Sequence, residues 1–114
     1  MQIVSMDHGS VRVLAVTGSV DSLSADSLSQ HFKDALTQGK PRLVADFAAV
    51  TYTSSAGLRA LLGAVKQCRL AGGDLRMAAL QPQVKRVLDI AGFSSMLNIY
   101  PDVAGALHNF GDPA

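Results

Sequence analysis

Three times along this chain a strand-length apolar run gives way, after a short break, to an apolar stripe at helical spacing that stops at glycine. Val11-Arg12-Val13-Leu14-Ala15-Val16 precedes a segment opening at Ser22-Leu23-Ser24, in which Leu28, Phe32, Ala35 and Leu36 recur down to Gly39. Arg42-Leu43-Val44-Ala45-Asp46-Phe47 precedes the stripe Leu58, Leu61, Leu62, Val65 and Cys68, closed by Gly72-Gly73. Leu75-Arg76-Met77-Ala78-Ala79-Leu80 precedes Val84, Val87, Leu88 and Ala91, with Pro82 suited to the first helical turn and Gly92 to the stop. Strands separated by helices pair in parallel through right-handed crossovers, so the alternation predicts an α/β sandwich.

A hairpin opens the chain, from Ile3 to Met6 through a turn at His8-Gly9-Ser10 into the first of these runs. A strand around Asn98-Ile99-Tyr100 and a helix from Asp102 to about Phe110 close it. The expected order is β-β-α-β-α-β-α-β-α, a mixed, mostly parallel sheet of about five strands with about four helices. Ligands and partners of such sheets gather at the carboxyl ends of the strands, and the segment Thr51 to Gly57 sits at one.

Composition narrows the function. The 114 residues are 48% hydrophobic and 17% charged, enough apolar side chain for one core and too much for a disordered chain. There is no repeat, low-complexity tract or linker, so a single domain over residues 1–114 is expected. No apolar run approaches the ~18 residues that cross a bilayer, and Met1-Gln2-Ile3-Val4 lacks the basic and apolar regions of a signal peptide. The expectation is a cytoplasmic protein with no membrane partner. Ten basic residues against nine Asp leave a net charge of +1, and two Tyr with no Trp offer few stacking platforms, so no direct nucleic-acid partner is expected.

Catalytic and cofactor signatures are missing. No glycine begins a P-loop, and there is no G-x-G-x-x-G for a dinucleotide. Ser55-Ala56-Gly57 comes nearest to a hydrolase nucleophile elbow, but Thr53 stands where the first glycine belongs, so no enzyme is read here. His8 in a turn, His31 in the first helix and His108 in the last are too scattered for a metal, and Cys68 lies on an apolar stripe as a small buried hydrophobe. No cofactor or metal is expected.

The informative stretch runs from Asp46 to Leu62. A strand delivers Thr53, Ser54 and Ser55 to the mouth of a helix, where unpaired N–H groups and the positive end of the macrodipole favour an anion such as a phosphoryl group. The plainer alternative is that Ser54 or Ser55 only caps the helix, worth about 1 kcal/mol. Leu58 is either a core residue of the stripe or an exposed contact beside the serines. Asp21 reads as a loop residue or a cap of the first helix.

Asp46-Phe47, Val50 and Ser54-Ser55-Ala56-Gly57-Leu58 together resemble the signature of the STAS domain, found in bacterial anti-sigma factor antagonists and at the cytoplasmic ends of sulfate transporters. Gly18-Ser19-Val20-Asp21 is similar to the family's first glycine-to-aspartate loop. Val84-Lys85-Arg86-Val87-Leu88 through Gly92-Phe93 to Ile99-Tyr100 is similar to its third helix and last strand.

The resemblance implies a partner switch. The unphosphorylated protein would bind an anti-sigma factor with serine kinase activity and release the sigma factor or another target. Phosphorylation at Ser55 would block binding, and a PP2C-like serine phosphatase would restore it. The partner-binding residues by motif position are Asp21, Ser54, Ser55, Ala56, Gly57, Leu58 and Arg59. Ser54 stands where founding members carry Asp. The resemblance also admits a small-ligand or nucleotide-binding STAS module of a transporter or sensor assembly. Between Arg59 and Arg86, the six bases Arg59, Lys66, Arg69, Arg76, Lys85 and Arg86 face one acid, Asp74; they are either ordinary solvated helix faces or a basic surface across the second and third helices that attracts an acidic partner.

Overall fold

Positive-φ glycines mark where the chain reverses. Gly9, at φ +60°, makes a two-residue turn with Ser10 between β1 (Gln2–His8) and β2 (Val11–Val20), paired antiparallel from His8↔Val11 to Gln2↔Thr17. The order continues α1 (Ala25–Thr37), β3 (Arg42–Thr53), α2 (Ser55–Leu70), β4 (Asp74–Ala78), α3 (Pro82–Ile90), β5 (Asn98–Tyr100) and α4 (Val103–Leu107). This computed structural model describes residues 1–110.

The five strands lie side by side in sequence order, all pairs after the hairpin being parallel. With right-handed crossovers, a sheet that grows always in one direction must place every crossover helix on the same face. The core agrees, following the two-residue period of the strands. Leu14, Val16, Leu43, Ala45, Phe47, Leu75 and Met77 pack with Leu28 and Phe32 of α1, Leu61 and Val65 of α2, and Val84 and Leu88 of α3. The alternate residues Val11, Val13, Val44 and Ala78 pack with Ala106 of α4 and with Phe110 on the other face.

Several boundaries differ from the sequence reading. The Gly18–Asp21 segment, read as a loop, is the end of β2 as far as Val20. Gly18 has φ +99° beside a register shift, so a bulge lets the strand run through the glycine. β3 runs six residues past Phe47, to Thr53. His8 belongs to β1 rather than to the turn, and α4 ends at Leu107, with His108 after it.

Arg76 also departs from expectation. It lies on β4, with its guanidinium 4.0 Å from the ring centre of Phe110 and 5.1 Å from that of Tyr100. It donates to the carbonyls of Ala106 at 3.0 Å and His108 at 3.1 Å. That base fastens α4 to the sheet and takes no part in a helix surface.

Candidate functional site

β4 ends its pairing with β3 at Asp46↔Ala78, yet β3 continues to Thr53 against β2 alone. The carbonyls exposed along this extension find donors from α3 and the turn before it. Gln81 Nε2 donates to Ala48 at 2.8 Å and Gln83 Nε2 to Thr51 at 3.4 Å. These two glutamines brace the site from the side. The sequence reading missed them, since an amide beside Pro82 carries no pattern of its own.

At the tip, β3 passes into α2. Ser54 is the N-cap, with extended backbone (φ −87°, ψ 172°), and its Oγ accepts from the Gly57 N–H at 3.2 Å. Its own N–H donates to the Val20 carbonyl at 2.8 Å. Ser55 is the first helical residue. It is exposed, and no described residue hydrogen-bonds its hydroxyl. The two serines thus divide the tasks that the sequence left open between them: Ser54 caps, and Ser55 presents a free hydroxyl at the electropositive end of a 16-residue helix.

Gly57 is needed for close approach. A Cβ there would come within 2.4 Å of Thr53 Oγ1 and 2.8 Å of Val20 Cγ1, so only glycine lets the first turn of α2 sit against the end of β2. Gly57 and Leu58 are both buried. Leu58, 6% exposed, packs in the main core, so of its two readings the core residue of the stripe holds and the exposed contact does not. Ala56 is half-buried and Arg59 exposed.

Asp21 follows directly on Val20. One of its carboxylate oxygens accepts from the Ser24 N–H (2.8 Å), the Ser24 hydroxyl (3.0 Å) and the Leu23 N–H (3.0 Å), while the Asp21 N–H donates to Ser24 Oγ at 2.9 Å. These bonds, first those from the Ser24 backbone and side chain, hold the Asp21 carboxyl below the usual carboxylate range. Asp21 therefore organises the entry to α1, and the Ser54–Val20 bond carries it to the side of the serines.

Two residues outside the sequence-based set lie close along the chain to Asp21 and Ser54 and are exposed. Leu23, in the loop after Asp21, is 90% exposed, and Tyr52, two residues before Ser54, is 53% exposed. Leu23 had been placed at the start of a helix. In a strand a tyrosine reads as ordinary β-propensity, so neither gave a signal.

The expected basic surface is thinner than its count of charges. Arg69 is paired with Asp74 at 2.9 Å and Lys85 with Asp89 at 3.2 Å, and Arg76 is occupied as described. Arg59, Lys66 and Arg86 are exposed with no ion pair among the described residues. Among those residues no group of three or more His, Cys, Asp or Glu could hold a metal, and no helix is long and apolar enough to cross a membrane.

The mouth of α2 is thus a capped, glycine-packed helix start with an exposed serine at its first position. Among the described residues no acid or base is hydrogen-bonded to the Ser55 hydroxyl. The sequence profile of the STAS domain matches residues 2–106, and the chain belongs to the STAS domain family. Over 89 residues it is 36% identical to BtrV of Bordetella bronchiseptica, whose description as an anti-sigma factor antagonist is itself provisional. That alignment covers 78% of this chain and 74% of BtrV. An anti-sigma factor antagonist from Mycobacterium paratuberculosis superimposes with a TM-score of 0.87 at 26% identity, over 97% of this chain and 94% of that one. The Bacillus cell fate determinant SpoIIAA, solved in its phosphorylated form, shares the fold with a TM-score of 0.68 at 16% identity, over 86% of this chain and 90% of that one.

Proposed function

We propose that this protein is a cytoplasmic anti-sigma factor antagonist that works by partner switching at Ser55. The observation that carries the reading is the division between the serines: the Ser54 hydroxyl is spent on the Gly57 N–H, and the exposed Ser55 hydroxyl is free. The names of the relatives supply the partner, an anti-sigma factor, and the family resemblance supplies its serine kinase activity.

In the kinase step a bond forms between Ser55 Oγ and the γ-phosphorus of ATP. The bond to ADP breaks and the hydroxyl proton passes to a base of the kinase. A PP2C-like phosphatase reverses the modification with water, releasing inorganic phosphate. The phosphate brings about −1.5 to −2 charges to a helix start that tolerates them, so the host keeps its fold. A partner packed against the same spot meets desolvation and repulsion instead. About 3 kcal/mol of such coupling weakens binding more than a hundredfold.

The partner surface consists of Asp21, Ser54, Ser55, Ala56 and Arg59, joined by the exposed apolar side chains of Leu23 and Tyr52; Gly57 and Leu58 hold its shape from beneath. A second reading, a small-ligand module, would need a pocket. The groove between α1 and α2 has about 250 Å³ and the cleft lined by Leu80, Lys85, Ile99, Tyr100 and Pro101 about 330 Å³; both open to solvent and neither is lined by Ser54 or Ser55, so the serine pair favours switching.

Mass mapping of the protein isolated from its own cells tests this. Phosphate on the peptide containing Ser55, absent from a Ser55→Ala strain, is expected; phosphate elsewhere or nowhere under any growth condition overturns the site.

A further inference from the structure

Arg59 stands four residues after Ser55 on α2. Side chains at this spacing share a helix ridge, with Cβ atoms about 5–6 Å apart, and an anion one turn before a cation is the favourable order. Nothing in the unmodified fold accounts for an arginine here. The first turn of α2 has no acid, no described residue pairs with the guanidinium, and a cation so near the positive end of a helix is disfavoured by the macrodipole. Some bases have carboxylates, Arg12 with Asp7, Arg69 with Asp74 and Lys85 with Asp89, while Lys66 and Arg86 share with Arg59 the lack of one among the described residues; Arg59 alone of these three stands one turn after the exposed serine.

Packing does not require it either. Arg59 lines the rim of the solvent-open groove between α1 and α2, with Lys33 on the α1 side and Ala60, Gly63 and Ala64 beside it on its own helix. Lys33 of α1 shares this groove, Asp26 lies in the first turn of α1, and Asp21 lies in the loop after β2 that the Ser54–Val20 bond ties to the start of α2. The Asp21 carboxylate is already engaged by Leu23 and Ser24. At the helix start, Ser54 takes the N–H groups of Gly57 and Leu58, through its hydroxyl and its carbonyl. Those of Ser55 and Ala56 are left with no protein partner among the described residues.

We propose that Arg59 is a phosphate clamp: when Ser55 is phosphorylated, its guanidinium turns one helical turn back and holds the phosphate oxygens together with the free N–H groups of the first turn. This inference rests on the reading of Ser55 as the modified residue and deepens it. The clamp makes the modified state a defined structure rather than a loose charge. It also withdraws a cation from the groove rim, so one modification changes two neighbouring parts of the partner surface. Arginine suits the task because its planar fork gives two parallel donors to a phosphate where lysine gives a point charge.

The test uses phosphoserine placed at position 55 during translation, so it needs no kinase. A failure of the partner-switch reading would show in the cell-derived phosphate map, while a failure of the clamp shows only here. The second ionisation of the phosphate, near pH 6 in a free phosphoserine, is followed by phosphorus NMR. With Arg59 present it should fall below its value in Arg59→Gln by about 0.2–0.4 of a pH unit, the size expected of an exposed one-turn ion pair. Arg59→Lys should restore part of the difference, and Lys66→Gln, a charge change farther along α2, should leave the titration in place. In about 1 M salt the difference should shrink. Equal titration in wild type and Arg59→Gln, or an equal shift from Lys66→Gln, would overturn the clamp. Matching melting temperatures of the unphosphorylated wild type and Arg59→Gln would show that the shift is not a loss of fold.

Discussion

The N–H of Ser54 donates to the carbonyl of Val20 at 2.8 Å, tying the start of α2 to the end of β2. Because Asp21 and the exposed Leu23 follow Val20, and Tyr52 and Ser55 flank Ser54, this one bond turns two chain segments into a single surface. The mouth of α2 is held by this bond and by the Ser54 cap, and the Ser55 hydroxyl has no partner among the described residues.

Ser54 and Ser55 should therefore separate in mutagenesis. Ser54→Ala loses the cap on Gly57 and should cost about 1 kcal/mol, a fall of about 3–6 °C in melting temperature by circular dichroism. Ser55→Ala removes an exposed hydroxyl with no described partner and should stay within about 0.5 kcal/mol of wild type.

Two glycines of α2 should respond with opposite signs. Gly57→Ala forces a methyl against Thr53 and Val20 and should destabilise by about 1–3 kcal/mol. At Gly63 a Cβ meets nothing within 4 Å, so Gly63→Ala should stabilise by about 0.5–1 kcal/mol through helix propensity. Urea unfolding of the two variants checks both signs.

Acid should loosen the Asp21 loop. Hydrogen bonds hold Asp21 below its ordinary pKa; Arg12 does the same for Asp7, and Ser94 and Lys85 for Asp89. A carboxyl lowered in the folded state contributes stability that is complete above its unfolded pKa, about 3.9, and is lost as pH falls through the lower folded value. The urea midpoint should thus drop between about pH 6 and pH 3, and should drop less in Asp21→Asn.

Cys68 should be silent. Burial first, and the neighbouring Asp74 charge second, push its thiol up to about 11. A thiol reagent at about pH 8 should leave the folded protein unlabelled and label it stoichiometrically in denaturant. Rapid labelling of the native protein would contradict the packing of α2.

The order of elements was legible because strand and helix differ in period, and each stripe stopped at a glycine. The α2 stripe was the plainest, and Cys68 lies on it as expected. What escaped were features made by tertiary contact. Gly18 reads as a turn, but a bulge keeps it inside β2. The last six residues of β3 alternate poorly because β4 has stopped and solvent reaches that edge. Arg76 counted as a surface base, although two aromatic rings and two carbonyls hold it against α4. The serine pair was visible in the sequence, but which serine caps depended on a backbone bend that no composition encodes.

Isothermal titration of an anti-sigma factor kinase with this protein, carrying either serine or phosphoserine at position 55, decides whether Ser55 is the switch. Tight binding of the serine form and a loss of more than about a hundredfold for the phosphoserine form are expected. Equal affinity of the two forms would contradict that assignment.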